Sequence, residues 1–96
     1  MYAALTTLTV SPGMWVQMAK STDQLFASIK TMKGFKQAIY FGDDAAGIFN
    51  SLVIWDSKQN AEAAQAVNAP KTQQGLASVL KAPPTRHIFE IYEPKV

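Results

Sequence analysis

The segment Ile48–Trp55, with the sequence IFNSLVIW, constrains the fold more than any other part of the chain, because it is apolar on both faces of a strand. Successive side chains of a strand point to opposite faces. One face carries Phe49, Val53 and Trp55, and the other carries Ile48, Leu52 and Ile54. A strand with one wet face alternates apolar and polar residues. Both faces of this strand therefore need a cover.

The residues before this segment predict a strand, a long helix and a second strand. Residues 2–10 are rich in β-branched side chains, which favour a strand. Ser11, Pro12 and Gly13 predict the start of a helix, with Ser11 as its N-cap. Apolar residues at helical spacing extend that helix toward a stop at Gly34, and they are Met14, Met18, Leu25, Ile29 and Met32. Residues 35–41 predict the second strand, and residues 42–47 a hairpin loop.

The residues after the segment predict one more helix and one more strand. Asp56 and Ser57 offer an N-cap to an alanine-rich helix. Pro70 removes a hydrogen bond from that helix, which predicts a kinked or two-part helix whose pattern resumes at residues 76–80. Residues 86–92 predict the last strand. The order βαββαβ predicts a ferredoxin-like α+β fold, in which right-handed crossovers place both helices on one face of a four-stranded antiparallel sheet.

The second face of this sheet predicts a homodimer, because two helices cover only one face. Leaving three large apolar side chains in water forfeits about 1.5–3 kcal/mol each. It also creates an apolar patch of the kind that marks an interaction site. The simplest cover is the same face of a second copy, related by a two-fold axis. The alternative is a monomer with a lightly apolar surface.

Length and composition exclude several other classes of protein. The 96 residues predict a single domain spanning 1–96. The net charge is only +2 and the basic residues are scattered, which argues against nucleic-acid binding. The absence of cysteine excludes a disulfide scaffold and a thiolate metal site. No apolar stretch reaches the roughly 20 residues of a membrane helix, and the start lacks the basic residues of a signal peptide, so we expect a cytoplasmic protein with no membrane partner.

Three stretches resemble the antibiotic-biosynthesis-monooxygenase-like family of dimeric α/β-barrel proteins. They are KGFKQAIYF at 33–41, VIWDSKQNAEAA at 53–64 and HIFEIYE at 87–93, and their order spans nearly the whole chain. The resemblance implies a dimeric α/β barrel. Members of the family include oxygenases that use no metal or flavin, which implies no cofactor and a small aromatic or polyketide-like substrate.

Other members of this family degrade haem, and the sequence departs from their pattern. Those members combine an asparagine on the first strand, a tryptophan that ends the third strand and a histidine in the second helix. Only the tryptophan is matched, at Trp55, so haem degradation is not expected.

A cofactor-free oxygenase needs a dry pocket, a base or donor near the substrate phenol, and polar groups that hold the anion. The candidate catalytic residues are therefore polar side chains on apolar strands: His87, Asn50 and Tyr40. His87 has the pKa range of a general base, although a structural strand histidine is the commoner case. A single histidine with no cluster around it also argues against a metal site.

The candidate substrate-binding residues are Trp55, Phe49, Met18, Tyr92 and Arg86. Trp55 stacks on a flat ligand in one interpretation and packs in the core in the other. Arg86 anchors a charged substrate in one interpretation and protects a sheet edge or forms a subunit salt bridge in the other.

Two other functions share this topology. A binding or assembly module that performs no reaction is favoured by the small number of acid–base residues. An RNA-binding sheet stacks bases on exposed aromatic residues of the first and third strands within a basic surround. The first strand here has no aromatic residue at its centre, which argues against RNA.

Overall fold

The computed structural model describes residues 1–95 and confirms the predicted βαββαβ order. The elements are β1 (Tyr2–Thr9), α1 (Trp15–Ile29), β2 (Phe35–Asp43), β3 (Ile48–Trp55), α2 (Lys58–Leu76) and β4 (Thr85–Glu90). All strand pairs are antiparallel, in the order β2-β3-β1-β4. This is the ferredoxin-like α+β fold. Within residues 1–95, no helix has the length and apolar character needed to cross a membrane.

The two faces of β3 differ as the alternation predicts. Phe49, Val53 and Trp55 are buried beneath the helices, with exposed fractions of 9%, 6% and 2%. Leu52 lies on the opposite face, which we call the open face, where it pairs with Leu5 of β1 and Ile39 of β2. Several large apolar side chains of the open face are exposed to solvent, namely Ile39, Phe41, Ile48 and Phe89.

Two apolar clusters hold the helices on the sheet. One contains Trp55 and Val53 of β3 with Ile29 of α1, and it packs against Ala61 and Ala64 of α2. The other contains Val10, Met18, Phe49 and Leu76. Because the clusters lie toward opposite ends of β3, space remains between them.

The start of α1 differs from the prediction. Ser11 is not its N-cap: the helix begins at Trp15, Met14 takes the N-cap position without a side-chain hydrogen bond, and Gly13 forms a turn at φ +87°. The hairpin loop supplies the missing acceptor, since Asp44 Oδ1 accepts a hydrogen bond from the Trp15 backbone N–H at 3.1 Å. A long-range contact therefore replaces the local cap.

The start of α2 agrees with the prediction, and its interior does not. Ser57 Oγ accepts a hydrogen bond from the Asn60 backbone N–H at 3.1 Å, as an N-cap does. The helix is continuous through Pro70, so the two-part alternative is wrong. Buried residues on both sides of the proline, Ala64 and Leu76, fix both halves on the sheet. This packing offsets the lost hydrogen bond.

Candidate functional site

A cavity of about 360 Å³ lies between the sheet and the two helices. Strands β1 and β3 form the middle of its floor, and α1 and α2 form its walls. Ligand pockets in proteins span about 300–1,000 Å³, so the volume suits a small ligand.

The cavity exists because small side chains occupy the middle of the sheet and the facing helix. Ala4 and Ser51 lie on the floor, and Ala61 and Ala64 face them from α2. Large aromatic residues close the two ends. Trp55 packs edge-on against Phe35 with ring centroids 6.0 Å apart, and Phe49 packs against Trp15 at 5.3 Å.

A row of four polar residues crosses the floor of the cavity, one from each strand. Tyr40 of β2 pairs with Ser51 of β3, Ser51 pairs with Thr6 of β1, and Thr6 pairs with Arg86 of β4. We call this set the polar row. All four residues line the cavity and are half-buried. The adjacent rows are apolar, with Val53 and Ala4 on one side and Phe49 and Leu8 on the other.

Three polar atoms around the cavity are buried without a protein hydrogen-bond partner. They are Tyr40 Oη, Arg86 Nη2 and Asn68 Oδ1, and all three residues line the cavity. The Asn68 amide is fixed from its other side, because Nδ2 donates to Met32 Sδ at 3.6 Å. Buried polar groups are nearly always paired, and those left unpaired in a native protein often mark a functional site.

The phenol of Tyr40 stays protonated at neutral pH. Burial raises its pKa above the ordinary value of 10.0, because desolvation disfavours the phenolate. The Phe26 ring of α1 packs edge-on against it at 6.2 Å. Tyr40 is therefore built to donate a hydrogen bond into the cavity rather than to remove a proton.

Most of the predicted site residues line this cavity. Five of them surround it from four different elements, and they are Tyr40, Trp55, Phe49, Met18 and Arg86. Trp55 and Phe49 each serve two purposes, since they belong to the packed clusters and also close the cavity. Trp55 therefore packs in the core and also lines the cavity, so the two interpretations of this residue are compatible.

Three predicted residues direct their side chains elsewhere. Asn50 borders the cavity, but its register places its side chain on the open face, where Thr7 Oγ1 donates to Asn50 Oδ1 at 2.7 Å. His87 pairs with Leu5 on the same open face and stacks on Phe89 with centroids 4.3 Å apart. Tyr92 follows β4 and is 76% exposed. A catalytic role for His87 or Asn50 therefore requires chemistry on the open face and stays a prediction.

The sequence analysis missed three residues of the site: Ser51, Thr6 and Asn68. Ser51 lies two residues from Phe49 and from Val53, so strand alternation alone identifies it as a polar residue on the most apolar face. Thr6 lies between Ala4 and Leu8 in the same way. The signal for Asn68 is weaker, because it depends on which turn of α2 meets α1.

Acid–base groups are few around the cavity. Among the described residues that line it, Asp23 is the only carboxylate, and it is exposed. Within residues 1–95, no three His, Cys, Asp or Glu side chains come together as a metal site would require. The cavity therefore offers hydrogen-bond donors and one cation to a ligand, and no buried base.

Comparison with solved structures places the fold in a known group. No protein-family model matches the sequence, and no curated protein sequence does. A protein of Nitrosomonas europaea, proposed to be an antibiotic biosynthesis monooxygenase, superposes with a TM-score of 0.80 at 13% identity, over 97% of this chain and 91% of its own. The fold is that of the antibiotic biosynthesis monooxygenases.

Two further structures with this monooxygenase fold are similar. A monooxygenase of Streptomyces coelicolor in complex with the ligand nanaomycin D superposes with a TM-score of 0.78 at 18% identity, covering 99% of this chain and 90% of its own. A Caulobacter crescentus protein proposed to have the same activity gives 0.78 at 15% identity, covering 96% and 90%. The predicted resemblance to this monooxygenase-like family is confirmed in the fold.

Proposed function

We propose that the chain is a homodimeric, cofactor-independent monooxygenase that acts on a small aromatic or polyketide-like compound within the cavity. One observation carries the proposal: an apolar cavity lined by residues that have unpartnered buried polar atoms, Tyr40 Oη among them. A neighbour of the same fold binds a small ligand, nanaomycin D, which supports a ligand-binding role for the fold.

The reaction that fits this cavity is oxidation of a phenol to a quinone by O2. The substrate phenol loses its proton, and the resulting electron-rich ring supplies the electrons for a carbon–oxygen bond to O2. Cleavage of the O–O bond then leaves one oxygen as the new quinone carbonyl and releases the other as water. The phenol is oxidised and O2 is reduced, so no further oxidant or reductant is needed.

The residues of the cavity have distinct parts in this reaction. Tyr40 donates a hydrogen bond to the substrate oxygen as negative charge develops there, which stabilises the transition state. Trp55 and Phe49 line the two ends of the cavity and supply apolar surface for the flat ring. Because no buried base lines the cavity, the substrate phenol transfers its proton to solvent water rather than to a histidine.

The dimer in this proposal forms through the open face. Apart from Asp43 at one corner, the paired positions of this face carry no charged residue. A nucleic acid or an acidic surface finds no complementary charge there, whereas a second copy meets no repulsion. Its central polar side chains, Thr7 and Asn50, bond to each other.

The size of the open face also suits a second copy. Four strands about 4.8 Å apart and about 26 Å long give a projected area of about 500 Å². Accessible surface follows the side chains and so exceeds the projected area, while a standard interface buries about 800 Å² per partner. Two such faces pack about 10 Å apart in the manner of a β-sandwich.

Oxygen consumption tests the proposed reaction. The purified protein is mixed with a panel of naphthols, hydroquinones and flavonoid-like phenols in an oxygen electrode, after metal chelation and without added flavin. We expect O2 uptake above the autoxidation rate for at least one compound, with one quinone formed per O2 consumed. Uptake that stops when residual metal or flavin is removed would refute the cofactor-independent reaction.

A binding module that performs no reaction is the second candidate. The observation that favours it is the lack of a buried base or carboxylate around the cavity. This candidate predicts ligand binding in the same panel with no O2 uptake above background, so the oxygen electrode separates the two functions.

A further inference from the structure

We propose that the ligand of this cavity is an aromatic anion, with a negatively charged oxygen held by Arg86 and a second oxygen at its other end, neutral when the ligand binds, held by Tyr40. This inference rests on the proposed function only in taking the cavity as the substrate site. It assigns the substrate class, and it assigns the two ends of the polar row to two different groups of that substrate.

The guanidinium of Arg86 has unmet hydrogen-bonding capacity inside the protein. Its Nη2 is buried and has no protein partner, although the residue lies in a row that faces the helices. Arg86 as a whole is half-buried, and a cation that is shielded from part of its water attracts a negatively charged partner. Arginine in particular matches the geometry of planar oxyanions, because its donors form a rigid fork. A planar anion in the cavity would therefore suit this guanidinium.

No carboxylate of the described residues is placed to serve as that anion. Asp23 is the only acid among the cavity residues, and it is exposed on α1. Glu90 lies on the same face of β4 as Arg86, four residues further along, which is about 13 Å in a strand. It is exposed and pairs with Tyr2 at the end of the sheet. The charge of Arg86 therefore remains available to a ligand.

The position of the polar row sets the orientation of that ligand. Tyr40 and Arg86 lie on the two outer strands, so three strand spacings, or about 14 Å, separate their backbones. Only the short side chains of Ser51 and Thr6 lie between them. A flat molecule fits across this gap with an oxygen at each end, and its ring faces the apolar rows on both sides.

Carboxylates and phenolates share this chemistry, and matched probes distinguish them. The first probe pair is 2-naphthoate and 2-naphthamide, which have nearly the same shape and differ in charge; benzoate and benzamide form a smaller pair. The second probe is 4-nitrophenol, whose phenolate absorbs visible light and so reports its own ionisation. Binding is measured by calorimetry, and ionisation by a spectroscopic pH titration.

The variants are Arg86→Gln, Arg86→Lys and the control Lys20→Gln, which removes an exposed cation outside the cavity. We expect the native protein to bind a carboxylate about tenfold or more tightly than its amide, since hydrogen bonds to charged groups are the stronger ones. Arg86→Gln abolishes that preference and leaves amide binding intact. Arg86→Lys restores part of it, and Lys20→Gln changes nothing.

Thermal unfolding without ligand separates binding from a structural role. Because Arg86 is half-buried and no acid of the described residues is placed beside it, Arg86→Gln should leave the melting temperature close to that of the native protein. A lower melting temperature together with loss of both amide and carboxylate binding would make Arg86 structural and overturn the proposal. Equal affinity for acid and amide in both pairs, including the case where neither binds, overturns it as well.

The nitrophenol titration distinguishes the two kinds of anion. If the ligand is a phenolate, the native protein lowers the apparent pKa of bound 4-nitrophenol, and Arg86→Gln does not. If only the carboxylate pair shows the preference, the charged group is a carboxylate. The anion preference and O2 uptake are separate readouts. A preference for the anion without O2 uptake refutes the oxygenase alone. O2 uptake that is the same in Arg86→Gln and in the native protein refutes the anion site alone.

Discussion

Asn50 and Ser51 are neighbours in the sequence, and they lie on opposite faces of the same sheet. On the open face, Asn50 Oδ1 accepts a hydrogen bond from Thr7 Oγ1, so these two side chains are bonded to each other across strands. On the helix face, Ser51 belongs to a row whose two ends, Tyr40 and Arg86, have unpaired buried atoms. A surface that packs flat against its own copy needs paired polar atoms, whereas a surface that binds a ligand needs unpaired ones. Each face has the arrangement that its proposed role requires.

The largest expected effect follows from a charge at the centre of the open face. Leu52→Asp places two carboxylates in the proposed dimer interface, and burying each costs several kcal/mol. We expect the dimer dissociation constant to rise at least about a thousandfold, which corresponds to about 4 kcal/mol. Sedimentation velocity at micromolar concentration measures this change. Val16→Asp, an exposed residue of α1, is the control and should remain dimeric.

Two outcomes would contradict the assignment of the open face. The first is a native protein that sediments as a monomer at micromolar concentration. The second is a Leu52→Asp variant that stays dimeric with an unchanged circular dichroism spectrum.

Two variants, one on each face of the sheet, test whether the two faces act independently. Ser51→Leu fills the floor of the cavity, so we expect naphthoate affinity to fall at least about tenfold while the dimer is retained, because an isobutyl group occupies the ligand volume. Asn50→Asp keeps an acceptor for Thr7 and adds a charge to the open face, so it should weaken the dimer and spare ligand binding. Calorimetry and sedimentation are run on both variants. Identical effects of the two substitutions would show that the faces are not independent.

The smallest expected effect concerns Tyr40 at alkaline pH. Its folded-state pKa is raised by burial, so the native state keeps its proton at a pH where the unfolded chain has lost it. Stability is therefore lost as pH rises above about 10, with a slope of at most about 1.4 kcal/mol per pH unit. Because Tyr40 is only half-buried, we expect the total to stay below about 1 kcal/mol.

Urea unfolding between pH 9 and 11 measures this loss of stability. Tyr40→Phe should lose less stability than the native protein across that range, and Tyr92→Phe, which removes an exposed hydroxyl, is the matched control. A steeper loss of stability in Tyr40→Phe than in the native protein would contradict the burial of this phenol.

The order of elements is predictable from the patterns along the whole chain, and the two-sided character of β3 is predictable from alternation within its own segment. The IFNSLVIW segment predicts its own strand limits and the burial of Val53 and Trp55. The start of α1 was missed because its stabilising acceptor, Asp44, comes from a hairpin 29 residues away. Pro70 was misread because local propensity says nothing about the packing of Ala64 and Leu76 around it.

The candidate site was only partly predictable for a related reason. Tyr40 and Arg86 stood out as polar residues on apolar strands, and the structure places both at the cavity. Asn50 was predicted and Ser51 was not considered, although alternation places Ser51 on the face of Trp55. That Tyr40, Ser51, Thr6 and Arg86 form one row depends on the register of three strand pairs, which no single strand encodes.

The most direct test of the division between the two faces is a crystal structure of the protein with 2-naphthoate. We expect one ligand in the cavity of each subunit, with its carboxylate on Arg86 and its ring between the apolar rows of Val53 and Phe49, and a second copy packed on the open face. Naphthoate located between the open faces of two subunits, with both cavities empty, would contradict it.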